Sequence, residues 1–597
     1  MSKESFGLGY HRLSKTTKWR RCHNSQKQPT SWLSDSSSDD NSSPQGLAKS
    51  PSSIVIPQID PEEHHANLLS EVHPLLPHSS PTSSSCESEV PNYVSDDTNS
   101  GVDSSPTEEV DPPSTSSNFA SHSIDSSNSS MIEFLQKWAV DYNVTHSSMD
   151  ALLKGLKSHA CFMDLPSCGR TVLNTPTKLV KYELDPGYYV HLGLEDQLIT
   201  LLTNLAENVN KVELLVNVDG LPPFKSFQGE LYPILVSVLN IKKLRGKVIT
   251  VGIYYGAEKP RSIQLFLMPF VNEINKLLNE GVDIENAHIE ISLAGFCCDA
   301  PAKSYIMGVI GHGGFYSCTR CTLKGTTVEK RRVFLESDCP RTHEDFKNKT
   351  DKHYCSKDTP LSLIPSINFV NSFVLDYMHL VCLGVVRTLL VTWTSGTKSL
   401  KSSRLSRSNR CTLSGNLDLL ASAFRSEFAR KLRNLTVLLR WKATEFRMFL
   451  IYAGPVVLKG VLNDERYTNF LELHIAMTIL LSPNICKDEE ARYNSRKLLV
   501  HFVKMVAYLY GVQLITHNFH GLFHLVDDAD NFVGIIEGFT LNDISAFQFE
   551  NHLQTLKKFI RGKNKPLEQT SKRLAEKFAL QCENVRENNC INNLSIF

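Results

Sequence analysis

The chain has 597 residues, 41% of them hydrophobic, enough for a sizeable core, and its 63 Lys and Arg balance 63 Asp and Glu. A formal charge of zero excludes a globally basic nucleic-acid binder, so any surface for such a partner has to be local. The 15 Cys include a CxxC at Cys318 and Cys321, and no secretory apolar run follows the polar, basic N-terminus, so reduced thiols in the cytosol or nucleus are expected rather than a disulfide framework.

Residues 1–130 are dominated by Ser, Pro, Asp, Asn and Thr. Such a segment buries too little apolar area to offset its ordering entropy, and disorder is expected. Its first stretch, HRLSKTTKWRRCHNSQK, is basic, which suits either a solvated tail or a nuclear-import or DNA-contacting arm. Over 131–205 a helical region is predicted. Ile132, Leu135, Trp138 and Ala139 share one helical face, and the pattern restarts with Met149, Leu152, Leu153 and Leu156. Two short helices suit a small helical cap or a helix-turn-helix reader, although no basic cluster marks the second as a recognition helix.

From 198 the pattern becomes α/β. A helix is predicted over 198–209, a strand over 211–219, a helix over 230–239, a strand over 248–255, a helix over 267–278 and a strand over 288–296 that runs on to Asp299. If the strands ending at Asp219 and Asp299 are neighbours, the two carboxylates meet at one sheet edge. There they repel unless a cation neutralises them; acids closing strands also occur as plain turn residues.

Beyond Asp299, a Gly-rich turn with His312 leads to Cys318 and Cys321, which have the spacing of a zinc knuckle. A structural tetrahedral site needs two more ligands, for which His379, His312, Cys355 and Cys382 are candidates, and 326–370 is a connector that can supply one. Packing without a metal is the alternative. The apolar run 373–393 contains Asp376, His379 and Arg387, each costly at a bilayer centre, so a buried helix is expected rather than a membrane span. Asp376 and His379, three apart, share a helical face, and one can orient the other.

Helices are predicted over 417–426, 428–439, 446–458, 470–481 and 488–510, with a basic loop at 398–410. His517, His520 and His524 fall on one helical face, where packing near the site, with contact to a scissile phosphate, is favoured over ligation. Finally, Phe549, Leu553, Leu556 and Ile560 form one helical face, with Glu550, Gln554, Lys557 and Arg561 on the adjoining one. Lys558, Lys563 and Lys565 extend the basic strip. An acid on a packed helix beside a basic track suits metal-assisted chemistry on a phosphodiester backbone, whereas the cations taken singly also suit a solvated face.

Four stretches, VNVDGLPPF, FCCDAPAKSYIMGVIGHGGFYSCTRC, LDYMHLVCLGVVR and AFQFENHLQTLKKFIRGKNKPLEQ, in this order, resemble the DDE transposases of the CACTA (EnSpm-like) group, including transposase-domain proteins of animal genomes. The resemblance covers roughly 131–574. It implies an α/β fold with an RNase H-like (DDE) core beginning at 206–325, an all-helical insertion at 371–545 and a terminal catalytic helix and tail at 546–597. Asp219 and Asp299 match the two catalytic Asp, Glu550 the catalytic Glu, Cys318 and Cys321 the CxxC, and Asp376 and His379 the DxxH of that family.

The implied chemistry is DNA strand cleavage and transfer with Mg²⁺ (or Mn²⁺), two ions about 4 Å apart held by the carboxylates; a structural Zn²⁺ at the CxxC stays open beside packing without a metal. The implied partner is double-stranded DNA in the nucleus. Self-association stays open, and neither a membrane nor a small-molecule substrate is called for. Relatives are expected to continue further beyond the Glu550 helix. A transposase-derived host protein that binds DNA or protein partners without catalysis is the alternative, and a nuclease or resolvase on the same core a third.

Overall fold

The structure, a computed structural model, describes residues 124–594 other than 206–208, 225–228, 286, 355–356, 397–401, 425–427 and 429. The expectation of a disordered tail therefore lies largely outside the described residues, as do Cys355 and the start of the basic loop. Order begins earlier than the apolar spacing predicts, with α1 (Ile124–Asp141). Thr145 then caps α2 (His146–Leu156), its hydroxyl oxygen accepting from Ser148 N at 2.8 Å. Leu135, Ala139, Met149 and Leu153 bury the predicted faces of both helices against each other and against the short α3 (Gly169–Val172).

Seven strands follow one another along the main sheet, which also carries a side strand. In chain order the elements are β1 (Tyr182–Leu184), β2 (Gly187–His191), α4 (Glu195–Thr203), β3 (Lys211–Val218), β4 (Glu230–Val238), β5 (Val248–Gly256), α5 (Ile263–Glu280), β6 (Val282–Ile284), β7 (Ala287–Cys297) and α6 (Ala300–Met307). A small hairpin, β8 (Thr326–Val328) with β9 (Arg331–Val333), and α7 (His343–Asn348) precede the two-residue β10 (Phe373–Val374). The strand order is β1-β2-β5-β4-β3-β7-β10, with β6 paired to β7. The sheet is mixed: β1 to β3 pair antiparallel along that path, whereas β3 with β7 and β7 with β10 are parallel.

The helix predicted over 230–239 is strand β4. Its run, ELYPILVSV, is buried on both faces in the middle of the sheet, and a continuous apolar run carries no period that separates a buried strand from a buried helix. Pro233, which a helix interior excludes, sits beside a register shift at Ile234 and Leu235.

Successive residues of β3 point to opposite faces, and the two faces have different cores. Leu214 and Val216 pack with Phe266, Phe270 and Ile274 of α5. Leu215 packs on the other side with the helices that follow β10.

Those helices begin with a π-helical segment, Met378–Val386, that continues as α8 (Arg387–Thr394). The apolar run is thus a buried strand end plus helix, and among the described residues no helix is long and apolar enough to cross a membrane. Then come α9 (Arg407–Ala423), α10 (Ala443–Met448), α11 (Asp464–Leu481), α12 (Glu489–Tyr510), α13 (His517–Gly521), α14 (Leu525–Phe532), α15 (Phe547–Phe559) and α16 (Pro566–Leu594). The helix predicted over 428–439 is absent among the described residues. A 3-10 turn, Leu435–Arg440, stands there instead, capped by Asn434. The N-terminal helices cap α16: Glu576, 2% exposed, lies 2.8 Å from His146 Nε2 and accepts from Arg573 at 2.8 Å.

Between sheet and helices lies a buried ion pair. Arg320 donates to Asp528 of α14, and Asp528 also accepts from Leu375 N at 2.6 Å. Replacing Arg320 by Met leaves that carboxylate buried and unpaired, a loss of about 3–5 kcal/mol that urea denaturation should register. Lys347→Met, on the exposed face of α7, should stay within about 0.5 kcal/mol of the parent.

Candidate functional site

Three adjacent parallel strands each end just before an aspartate: Asp219 follows β3, Asp299 follows β7 and Asp376 follows β10. Parallel pairing puts all three at the same, C-terminal, edge of the sheet. Asp219 is half-buried, its own carboxylate accepting from Gly220 N at 2.6 Å. Asp299 caps α6, accepting from Ala302 N at 2.7 Å.

Glu550 reaches this edge from the first turn of α15. Ligand atoms of Asp219, Glu550 and His379 all lie within 4.8 Å of one another, and Asp299 is close enough for its charge to act on each of the three. Of the three acids expected to converge, Asp219 and Glu550 meet, with His379 in the same group, and Asp299 stands at the same edge within electrostatic reach.

Asp376 holds this arrangement together. Its buried carboxylate accepts from Met378 N and His379 N at 3.0 Å each, and from Ala546 N, at the start of the Glu550 helix, at 2.8 Å. It also pairs with His379 Nδ1 at 2.6 Å, which leaves Nε2 for the acid cluster. One carboxylate thus positions both the imidazole and the helix of the last acid.

The electrostatics reflect crowding. Burial, and then the charges of Asp299 and Glu550, push the Asp219 carboxyl up to about 7. Burial also raises Glu550. Although burial opposes a charge on His379, the hydrogen bond to Asp376 and the surrounding acids raise it to about 9, so the imidazolium is the resident positive charge. Asp219 and Glu550, with Asp299 nearby, offer carboxylate oxygens to a hard divalent cation, and an imidazole at the same point admits Mn²⁺ as well as Mg²⁺.

A second cluster is buried between the sheet and the helices. Cys318, Cys321, His520 and His524 bring their ligand atoms within 4.8 Å of one another. Cys321 Sγ lies 3.3 Å from His520 Nε2, and the Nε2 atoms of His520 and His524 face each other at 3.4 Å. The Arg320 and Cys321 amides donate to Cys318 Sγ at 3.3 Å each. The hydrogen bond from Cys318, with the two histidines nearby, pulls the Cys321 thiol far below its ordinary value, while burial pushes the Cys318 thiol well up, so the pair holds one thiolate and one thiol. Two thiols and two imidazoles aimed at one point are a tetrahedral metal donor set.

These placements correct several expectations. The partners of the CxxC are His520 and His524, not His379, which belongs to the acid cluster. His312 is exposed and Cys382 is buried in the π-helical segment, and neither belongs to the group. His520 and His524 are therefore part of the Cys/His cluster rather than packing residues set to touch a scissile phosphate. The signal for them was present in the sequence: two His four apart on one helical face have ligand spacing.

The basic track is partly occupied. Lys557 donates to Pro222 O at 2.8 Å, and Arg561 clasps Asn143, with 3.1 Å to its side-chain oxygen. Lys558, Lys563 and Lys565 are exposed.

No model of a known protein family matches the chain, and no curated protein matches it either.

The Asp219 shift has a measurable consequence. Between its usual value of 3.8 and about 7 the folded chain holds a proton that the unfolded chain has lost. Its contribution to stability therefore falls as pH rises through that window, and the loss is complete above it. A divalent cation that binds only the folded carboxylates reverses the loss. Mg²⁺ should accordingly raise the melting temperature more at pH 8 than at pH 5, and less in Asp219→Asn at pH 8. Equal increments at both pH values would refute a cation at these acids.

Proposed function

We propose that the chain is a DDE-type DNA transposase of the CACTA (EnSpm-like) kind, with an RNase H-like core that cuts and rejoins double-stranded DNA in the nucleus. The observation that carries this reading is the meeting of Asp219, Glu550 and His379, from segments far apart in the chain, at a sheet edge where Asp299 is close enough for its charge to act on them. Mg²⁺ or Mn²⁺, when bound, supplies activation of a water or 3'-hydroxyl and stabilisation of the leaving oxygen. Asp219, Asp299 and Glu550 are the residues that would hold it.

The chain's own contribution is placement and charge. Half-buried carboxylates limit competing water around the ligands, and their mutual repulsion makes a cation the favoured occupant. Asp376 fixes the His379 ring so that its Nε2–H faces the cluster, where it balances acid charge and can donate to a phosphate oxygen. Lys558, Lys563 and Lys565 leave the site along the exposed end of the last catalytic helix and suit backbone phosphates.

Cys318, Cys321, His520 and His524 are read as a structural Zn²⁺ site closing the helical insertion onto the core. The alternative, a transposase-derived host protein that binds without cutting, has one observation in its favour. Lys557 and Arg561 are committed to contacts within the chain, which shortens the track open to DNA.

Purified protein with Mg²⁺ and the DNA that flanks its own gene should yield cleaved and joined products, and Asp299→Asn should yield none. Equal products from both proteins would remove Asp299 from the site; none from either would favour the binding-protein reading. Asp376→Asn, which loosens His379 and α15 without touching an acid of the triad, should cost about 10–100-fold in rate. Elemental analysis should find about one Zn²⁺ per chain, lost in Cys321→Ser and His524→Ala; unchanged metal content in both variants would sink the zinc assignment.

A further inference from the structure

Away from the acids, a cavity of about 440 Å³ opens between α7 and the segment that leads to β10. Its size falls within the roughly 300–1,000 Å³ of ordinary ligand sites. One wall is aromatic. Phe346 stacks on Phe369 at 3.6 Å and 4°, and the His343 ring lies nearly parallel to Phe369, at 9°. Phe369 is buried whereas Phe346 and His343, which line the cavity with it, are only half-buried, so part of their ring surface is left uncovered beside Tyr354, whose ring is perpendicular to Phe346 at 5.7 Å.

The rim is cationic. Lys347, Lys349 and Lys357 are all exposed there. Lys347 pairs with Glu344 and Lys349 with Asp358, but Lys357 has no carboxylate partner among the described residues. The wall also carries a ring donor. His343 Nδ1 accepts from Phe369 N at 3.3 Å, so in the neutral ring the proton is on Nε2.

A simple anion would use the lysines but not the rings, and a neutral apolar ligand the rings but not the lysines. A nucleobase with its phosphate uses both, and gives the His343 N–H an acceptor on the base edge.

The cavity also has a fixed relation to the acids. Asp299 caps the first end of α6, and Gly308 at the other end lines the cavity. Gly308 has φ +68°, and a Cβ there would lie 2.6 Å from Lys357 O, so the rim is pressed against the end of the helix. The eight residues of α6 rise about 12 Å, roughly three to four nucleotide steps of 3.4 Å.

We infer that this cavity is a nucleotide subsite that receives an unstacked base of the DNA strand engaged at the acids, the base against Phe346 and the phosphate on Lys347 and Lys357. The inference rests on the reading of the chain as a DNA-processing enzyme.

The test uses the full chain in buffer without added Mg²⁺ or Mn²⁺, so that binding is read without cleavage and any zinc is kept, and a fluorescein-labelled single-stranded oligonucleotide in which one abasic site is moved along the strand. In the parent protein an abasic site at one position should weaken binding about tenfold. That position dependence should vanish in Phe346→Leu. The exposed Lys347→Glu/Lys357→Glu pair should weaken binding at an unchanged melting temperature, which guards against misfolding of the Phe variant.

A flat abasic scan together with binding of fluorescent dAMP that Phe346→Leu abolishes would overturn the strand as the source and leave a free nucleotide as occupant. Unchanged affinity for both probes in both variants would overturn the subsite altogether. The two readings separate because Asp299→Asn should bind the oligonucleotide like the parent while losing cleavage. If the cavity variants lose binding but Asp299→Asn still cuts, the acid assignment fails and the subsite stands.

Discussion

The parallel pairing of β3, β7 and β10 is the constraint on which the rest of the molecule depends. Backbone ladders, not side-chain contacts, put Asp219, Asp299 and Asp376 at one edge, each one or two residues beyond the last residue of its strand. The pairing of β10 is the least secure because it has two residues, and several groups reinforce it. Gly295 lets the chains approach, since a Cβ there would lie 2.5 Å from Ser372 O. Phe373 stacks on Phe296 at 4.9 Å, and Lys303 and Arg320 donate to the carbonyls of Val374 and Phe373. A short strand is tolerable at a sheet edge when its unpaired carbonyls find such donors.

The fourth acid arrives by a longer route. Glu550 is separated from β10 by the whole helical insertion, and closing so long a loop costs entropy that grows only logarithmically with its length. The closure is made at three points near the sheet: Ala546 N on Asp376, Arg320 and Leu375 on Asp528, and the Cys318, Cys321, His520, His524 cluster. Each joins a residue near the strand ends to one on the returning helices. Asp376 and Asp528 therefore do similar work at different depths, Asp528 fixing where α14 rests on the sheet and Asp376 fixing where α15 begins. A metal at the Cys/His cluster would add a fixed crosslink of the same sense.

Much of this was legible in the sequence, and the failures share a cause. Asp219, Asp299 and Glu550 could be read because each sits at a local landmark, a strand end or the boundary of a helical face. β4 was misread as helix because a strand buried on both sides has no alternation to display. His379 is one of several candidate partners the sequence offers the cysteines, although its pairing with Asp376 ties it to the edge aspartates instead. His520 and His524 carried the spacing of metal ligands, but nothing local says which distant cysteines they meet. Nor does a charge pattern show that Arg561, though exposed, also holds Asn143.

The acid cluster also explains why His379 stands where it does. With no cation bound, three carboxylates at one edge would destabilise the fold, and the imidazolium held by Asp376 offsets part of that repulsion. The offset is incomplete: beyond the larger effect of burial, the charges of Asp299 and Glu550 still push the Asp219 carboxyl up despite His379. Residual strain of this kind is expected where a site must take up a cation, since a fully compensated cluster would have no reason to bind one. The same imidazolium cannot simply be replaced by a stronger positive charge. A fixed guanidinium at that position would satisfy the acids permanently and compete with any divalent ion, whereas an imidazole can surrender its proton and remain as a neutral neighbour or ligand. On the reading of this edge as a cation site, residue 379 meets two opposed requirements: enough charge to keep the fold, and not so much as to close the site.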